Sequence, residues 1–162
     1  MPPGEAPLGM NDDHPPASTA RTAGQPIHPK LVPFPLVCFV GALLTDIAYA
    51  RTADMMWANF SAWLLAFGLG TGVLAAIAGL VELLRNRRVR AQGRAWLHML
   101  GNLVVLVLAL FNNFVHSRDA WTSVVPTGLV LSAVTVALVL VTASLGASMM
   151  YRMYRHGVEV AA

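Results

Sequence analysis

The chain has 162 residues, of which 56% are apolar and only 12% are charged. Soluble domains carry about 25% charged residues, so this composition excludes an ordinary soluble domain and indicates an integral membrane protein. The pI of 9.6 does not indicate a nucleic-acid partner, because the arginines cluster beside apolar segments, as membrane topology predicts. The single cysteine, Cys38, excludes an intramolecular disulfide and a cysteine metal site.

The chain divides into a polar tail and an apolar remainder. Residues 1–25 are rich in proline, glycine, serine and threonine and show no hydrophobic period, which predicts a disordered tail. Residues 26–160 are predicted to form one membrane domain. At the junction His28 lies between Pro26 and Pro29, just ahead of the first apolar run.

Four apolar segments are long enough to cross a bilayer, which takes about 20 helical residues. They cover about 31–50, 55–84, 95–115 and 124–151. The connections after the first and third segments are short, so consecutive helices must be antiparallel, and Thr52 is the predicted N-cap of the second helix. The expected fold is an all-α membrane protein, a four-transmembrane-helix antiparallel bundle.

The second segment carries a flank of four glycines. These are Gly68, Gly70, Gly72 and Gly79. Such a flank lets another helix approach closely, and that helix belongs either to the same chain or to a second copy in a homodimer.

The distribution of basic residues predicts the orientation in the membrane. With four spans, both termini lie on the same side as the connection between the second and third segments. That side carries nine of the 11 Lys and Arg residues, which are Arg21, Lys30, Arg85, Arg87, Arg88, Arg90, Arg94, Arg152 and Arg155. Positive residues favour the cytoplasmic side, so we expect a multi-pass protein of the inner membrane with both termini, including the tail, in the cytoplasm.

Three histidines fall at this cytoplasmic end of three different spans. His28 precedes the first span, His98 lies in the first turn of the third, and His156 follows the fourth. Glu82 ends the second span on the same side. These side chains either converge on a functional site or are ordinary polar residues at a membrane boundary.

Neutral imidazole is a common ligand of haem iron and of divalent metals, and helical bundles present such ligands inward. The candidate haem ligands are His98 with His28 or His156, and the absence of a CxxCH motif points to a non-covalent haem b. The alternative is a metal held by the three histidines and Glu82.

A polar stripe follows one face of the third span. Its members are His98, Asn102, Val105, Ala109, Asn112 and His116, spaced by 4, 3, 4, 3 and 4 residues. The stripe must face the bundle, because such side chains are costly in lipid. Its asparagines either form interhelical hydrogen bonds or line a route for protons or small ions. Asp46, in the first span, either pairs with Arg51 or marks a proton path.

Three short motifs resemble a known family. They are Ile27-His-Pro followed by Leu31-Val-Pro-Phe-Pro35, then His98 with Asn102, and the ending Tyr154-Arg-His-Gly-Val158. Over residues 25 to 160 the chain resembles the membrane proteins of the domain of unknown function 2231 family. The resemblance implies a four-span bacterial inner-membrane protein. Some relatives are fused to a Rieske iron–sulfur domain, which implies a link to electron transfer and a Rieske or other redox protein as partner.

The sequence therefore leaves three functions open. The first is membrane electron transfer through a histidine-ligated haem or metal near the cytoplasmic boundary. The second is a non-catalytic structural or assembly subunit, and the third is transport of protons or small ions. The chain has no Walker, Rossmann, HExxH or nucleophile-elbow motif, so no enzyme class is assigned.

Overall fold

A computed structural model describes residues 27–118 and 124–161, without the side chains of Arg88, residues 149–150 and residues 152–161. The predicted disordered tail lies outside the described residues. The helices are α1 (His28–Leu31), α2 (Pro33–Thr52), α3 (Met55–Arg85), α4 (Arg87–Arg90), α5 (Gly93–His116) and α6 (Leu129–Ala161), with a kinked segment, Val124–Gly128, ahead of α6.

Four stretches of the described chain are long and apolar enough to cross a membrane. They are His28–Thr52, Met55–Arg85, Gly93–His116 and Val124–Ser148. The other described residues form the end of α6, the short helix α4 and connecting turns. The predicted class, an all-α membrane protein with four transmembrane helices, is confirmed.

A tight turn joins α2 to α3. Ala53 adopts the left-handed conformation, with φ of 55°, and ends α2. Asp54 is the N-cap of α3, since its Oδ1 accepts from the Met56 amide at 2.9 Å. The prediction that Thr52 is the N-cap was wrong, because Thr52 still belongs to α2 and its hydroxyl donates to the Ala48 carbonyl at 2.8 Å.

The four long helices form a square in cross-section. Helix α2 packs against α3 and α6, and α5 packs against the same two helices. Helices α2 and α5 therefore lie on one diagonal, and α3 and α6 on the other. We call the end with His28 and the α3–α5 connection the terminal face, and the end with the α2–α3 turn the hairpin face.

The two helical hairpins bury equivalent positions, which the sequence reading did not detect. Buried residues of α2 and α5 correspond with a shift of 70 residues, as in Phe39 with Ala109, Ala42 with Asn112 and Asp46 with His116. In the second helix of each hairpin the shift is 67 residues, as in Ser61 with Gly128, Leu65 with Ser132, Gly68 with Thr135, Gly72 with Val139 and Ala75 with Thr142. We infer a duplicated hairpin, whose halves are related by an approximate two-fold axis along the bundle.

An apolar core fills the middle of the bundle. It consists of Phe39, Ala42, Leu65, Val105, Ala109, Val136 and Val139. The core lies between the two polar ends of the α2–α5 diagonal. Around it, large apolar side chains such as Trp63, Phe67 and Leu103 are exposed on the outside of the bundle, where a membrane protein contacts lipid.

Three of the four glycines of α3 pack against other helices of the same chain. A Cβ atom at Gly68 would lie 2.7 Å from Phe39 Cε1, one at Gly72 would lie 2.9 Å from Leu106 Cδ2, and one at Gly79 would lie 2.9 Å from His28 Nδ1. Only Gly70 has nothing within 4 Å of that position. The glycine flank thus serves mainly internal packing, and the homodimer stays a prediction that Gly70 alone supports.

Candidate functional site

An acid–base pair lies on the α2–α5 diagonal, towards the hairpin face. Asp46 of α2 faces His116 of α5, with 2.9 Å between Oδ1 and Nε2, and both side chains are fully buried. It is the one salt bridge among the residues that the structure describes. The predicted pairing of Asp46 with Arg51 was wrong, because Arg51 is exposed and the carboxylate contacts His116 instead.

The hydrogen bonds of this pair fix its proton count. His116 Nδ1 lies 3.0 Å from the carbonyl oxygen of Asn112, which can only accept, so Nδ1 carries a hydrogen. Nε2 and Asp46 Oδ1 are 2.9 Å apart, and two such atoms form a hydrogen bond only with a hydrogen between them, so the pair holds one further proton. The pair is therefore either an imidazolium with a carboxylate or a neutral imidazole with a carboxylic acid. Both forms have no net charge, which lowers the desolvation free energy of burying the pair in a membrane.

Two more polar side chains continue the network from Asp46. Ser132 Oγ donates to Asp46 Oδ2 at 2.5 Å, and Asn112 Nδ2 donates to Ser132 Oγ at 2.8 Å. The serine has a single hydrogen and gives it to the aspartate rather than to His116. A hydrolytic triad requires the histidine to accept that hydrogen, so this arrangement is not a serine nucleophile.

A pair of histidines occupies the other end of the same diagonal. The ring centres of His28 and His98 are 5.9 Å apart, and the ring planes make an angle of 82°. His28 Nδ1 donates to the Ala75 carbonyl at 2.8 Å, and His98 Nδ1 donates to the Thr142 carbonyl at 2.9 Å. With hydrogens on Nδ1, neutral imidazoles carry their lone pairs on Nε2.

Each of these histidines lies on a glycine one turn beyond the carbonyl that it contacts. A Cβ atom at Gly79 would lie 2.9 Å from His28 Nδ1, and one at Gly146 would lie 3.0 Å from His98 Cε1. The two hairpins thus build the same contact, a ring on a glycine with a hydrogen bond to the preceding turn. Both rings are held in place by backbone rather than by mobile side chains.

Asn102 distinguishes the two histidines. Its Nδ2 donates to His98 Nε2 at 3.0 Å and to the His98 carbonyl at 3.0 Å. The Nε2 atom of His28 has no hydrogen-bond partner among the described residues. Asn102 therefore bonds within its own helix, whereas Asn112 bonds to α6.

The other two predicted site residues are Glu82 and His156, and no hydrogen bond joins Glu82 to His28 or His98 in the described part of the chain. Glu82 of α3 is half-buried, and no three His, Cys, Asp or Glu side chains within the described part of the chain could hold a metal together. His156 lies in α6, but its side chain is outside the described residues. The metal site of His28, Glu82, His98 and His156 stays a prediction.

The polar stripe of α5 is interrupted. His98 and Asn102 form its terminal-face end, and Asn112 and His116 form its hairpin-face end. Between them Val105 and Ala109 belong to the apolar core. The stripe is therefore two separate polar sites rather than one continuous surface.

One numerical signal in the sequence would have revealed both diagonal pairs. His28 and Asp46 are 18 residues apart, and so are His98 and His116. Repeated spacing of ionisable residues in two apolar segments indicates an internal duplication. Ser132 gives no such signal, because a serine in an apolar run acquires a partner only once the helices are packed.

The comparisons with known proteins point to one family. No curated protein and no solved structure matches the chain. The family described as predicted membrane protein (DUF2231) matches residues 24–162, which is most of the chain. The chain belongs to the DUF2231 family of membrane proteins.

Proposed function

We propose that the protein transfers protons in the membrane and that the Asp46–His116 pair is its proton-holding site. The observation that carries the proposal is the fully buried acid–base pair, with 2.9 Å between Oδ1 and Nε2. Ionisable side chains are expensive inside a membrane, and those that occur there typically serve proton or ion pathways.

Protons reach this pair from the hairpin face. His116 is the last residue of α5, and Ser117 and Arg118, which follow it, are exposed. Both ring nitrogens of His116 are hydrogen-bonded inside the bundle, so exchange with this side requires the imidazole to turn towards it. Asp46 then holds the proton next to the Ser132 hydroxyl. The apolar core around Phe39 and Val105 separates the pair from the histidines at the terminal face. Transfer across the whole bilayer therefore requires the core to admit water.

We place the terminal face in the cytoplasm and the protein in the inner membrane. The support is the excess of basic residues on that side, nine of the 11 in the chain. In this orientation the hairpin face, and with it the entry to Asp46 and His116, is on the opposite side of the membrane.

The test is proton flux in liposomes. Purified protein is reconstituted with a pH-sensitive dye inside, and a potassium diffusion potential drives protons inward. Wild-type protein should acidify the lumen faster than empty liposomes, and Asp46→Asn should reduce the rate to that of empty liposomes. Asp54→Asn is the matched control, because Asp54 is an exposed aspartate on the same face and asparagine also caps helices.

Two results would contradict the proposal. One is wild-type flux no greater than that of empty liposomes, and the other is unchanged flux in Asp46→Asn. A structural or assembly subunit would then be the better interpretation, since the buried pair would act only in helix packing.

A second candidate function is electron transfer through a haem b held by His28 and His98. Both imidazoles present Nε2 as the lone-pair atom, and a hydrogen bond from the other nitrogen to a carbonyl is the usual support for a metal-binding histidine. The two ring centres are 5.9 Å apart; His28 and His98 would hold the iron through Nε2, and the haem would supply one-electron transfer. The hydrogen bond from Asn102 Nδ2 to His98 Nε2 would have to break before that nitrogen could bind iron. A Rieske or other redox protein would be the partner.

The haem candidate is tested by absorption spectroscopy. Protein produced with a haem precursor should show a Soret band, which His28→Ala and His98→Ala should each abolish. His116→Ala is the control, because that histidine lies at the other end of the bundle and should leave the band unchanged. A protein without a Soret band, or one whose band survives both substitutions at the terminal face, contradicts this candidate.

A further inference from the structure

Two buried polar atoms next to the Asp46 network lack a hydrogen-bond partner in the described part of the chain. They are Asn112 Oδ1 and Thr135 Oγ1, and their residues are 0% and 1% exposed. Buried oxygens of this kind are almost always hydrogen-bonded to protein or to ordered water, because leaving them unpaired is costly.

Rotation of the Asn112 amide does not remove the unpaired oxygen. Ser132 uses its single hydrogen on Asp46 Oδ2, so its own oxygen can only accept from the amide. The nitrogen of Asn112 must therefore face Ser132, and Oδ1 must face elsewhere. The hydrogen bonds of the acid–base pair thus determine which atom of the amide is free.

Thr135 is unusual among the threonines of these helices. Thr45, Thr71 and Thr142 each donate to a carbonyl three or four residues earlier, whereas Thr135 makes no such bond. It lies one turn from Ser132 on the same buried face of α6. Asn112 is hydrogen-bonded to Ser132, so the residues of both unpaired oxygens lie within about one helical turn of that bond.

We propose that this site binds a water molecule, which donates to Asn112 Oδ1 and is hydrogen-bonded to Thr135 Oγ1. A cation does not fit, since the charge of Asp46 is already balanced by the proton shared with His116 and a further positive charge would be buried without a partner. A neutral hydroxylic ligand meets both oxygens, and water can make two to four such bonds in a buried polar site.

The water site places a molecule that can carry a proton deeper in the bundle than Ser132, and in this respect it rests on the proposed function. Hydrogen bonds connect Asp46 through Ser132 and Asn112 to the water and Thr135, and the amide of Asn112 orients the water without itself relaying a proton. It ends one turn deeper than Ser132. The next buried hydroxyl of α6, Thr142, is seven residues further, about 10.5 Å along the helix. Its carbonyl accepts from His98.

The sign of a stability change tests the water site. Thr135→Val keeps the shape of the side chain and removes the hydroxyl. If the hydroxyl binds the water, the full-length variant in lipid nanodiscs should have a Tm roughly 5 °C below that of wild type. If the hydroxyl has no partner at all, its removal eliminates an unpaired polar group and the Tm should rise.

Thr142→Val is the matched control. The same substitution on the same helix removes a hydroxyl that only supplements a helical carbonyl, that of Val139, so the Tm should change little. Infrared spectra give an independent measurement. A buried water should show an O–H stretching band that shifts in H₂¹⁸O, disappears in Thr135→Val and persists in Thr142→Val.

A Tm of Thr135→Val at or above that of wild type, or an isotope-sensitive band that is absent or unaffected by this substitution, overturns the water site. Neither measurement depends on proton flux. A wild-type protein that binds the water but conducts no protons would defeat the proposed function alone. A conducting protein whose Thr135→Val variant is stabilised would defeat the water site alone.

Discussion

The two ends of the α2–α5 diagonal both hold a pair of ionisable side chains inside the bundle, but the two pairs differ in composition and in hydrogen bonding. At the terminal face two like residues, His28 and His98, meet across the axis, and each donates its hydrogen to the backbone of a neighbouring helix. At the hairpin face two unlike residues, Asp46 and His116, bond to each other. Two imidazolium rings would repel each other, whereas an acid and a base attract and share one proton. A duplicated fold provides equivalent positions, and residue identity decides their chemistry.

The largest expected effect comes from removing one member of the unlike pair. Asp46→Leu leaves His116 with a buried Nε2 and no acceptor, and we expect a loss of about 3–5 kcal/mol in the free energy of unfolding. Denaturant unfolding in mild detergent measures it. The double variant Asp46→Leu with His116→Leu should recover most of the loss, because apolar replacement of a whole buried pair is often close to neutral.

The corresponding substitution in the histidine pair, His28→Leu, should lower the free energy of unfolding by much less. His28→Leu removes a ring whose hydrogen bond goes to a helical carbonyl, and His98 keeps its own bonds. Equal losses for Asp46→Leu and His28→Leu would show that the two ends do not differ as proposed.

An intermediate loss of stability is expected when the glycines that pack against His28 and His98 are substituted. Gly79→Ala and Gly146→Ala each place a methyl group about 3 Å from an imidazole ring, which should cost about 1–3 kcal/mol through overpacking. Thermal unfolding of both variants tests whether the two hairpins build equivalent contacts. Gly70→Ala is the control, since that position is open, and it should be neutral or slightly stabilising. A large difference between Gly79→Ala and Gly146→Ala would argue against the equivalence.

The smallest effect is expected in the turn of the first hairpin. Ala53→Gly removes the cost of a left-handed alanine, and the gain is partly offset by the flexibility of glycine, so we expect about 0.5 kcal/mol of stabilisation. The same unfolding assay measures it. Because no member of either polar pair belongs to this turn, proton flux and any haem spectrum should be unchanged. A destabilised variant would mean that Ala53 is not strained.

Hydropathy and charge were enough to predict the four helices, because a span of about 20 apolar residues has few alternatives to a membrane helix. The partners of the polar residues were harder to predict. Arg51 is five residues from Asp46, which places it on another face of α2. The pairing predicted from their closeness in sequence was therefore wrong. His116 is 70 residues away and becomes adjacent only through the packing of the two hairpins.

The acid–base pair has a consequence for how the chain assembles. Because the halves are equivalent in register, each hairpin offers a surface on which a copy of itself could dock. Two copies of the first hairpin would bring two carboxyl groups together at the position of Asp46, and two copies of the second would bring two imidazoles together at the position of His116. Only the mixed pairing joins an acid to a base. The asymmetry of this one pair thus selects the association of unlike halves over that of like halves, in the way that charge patterns select partners between separate proteins.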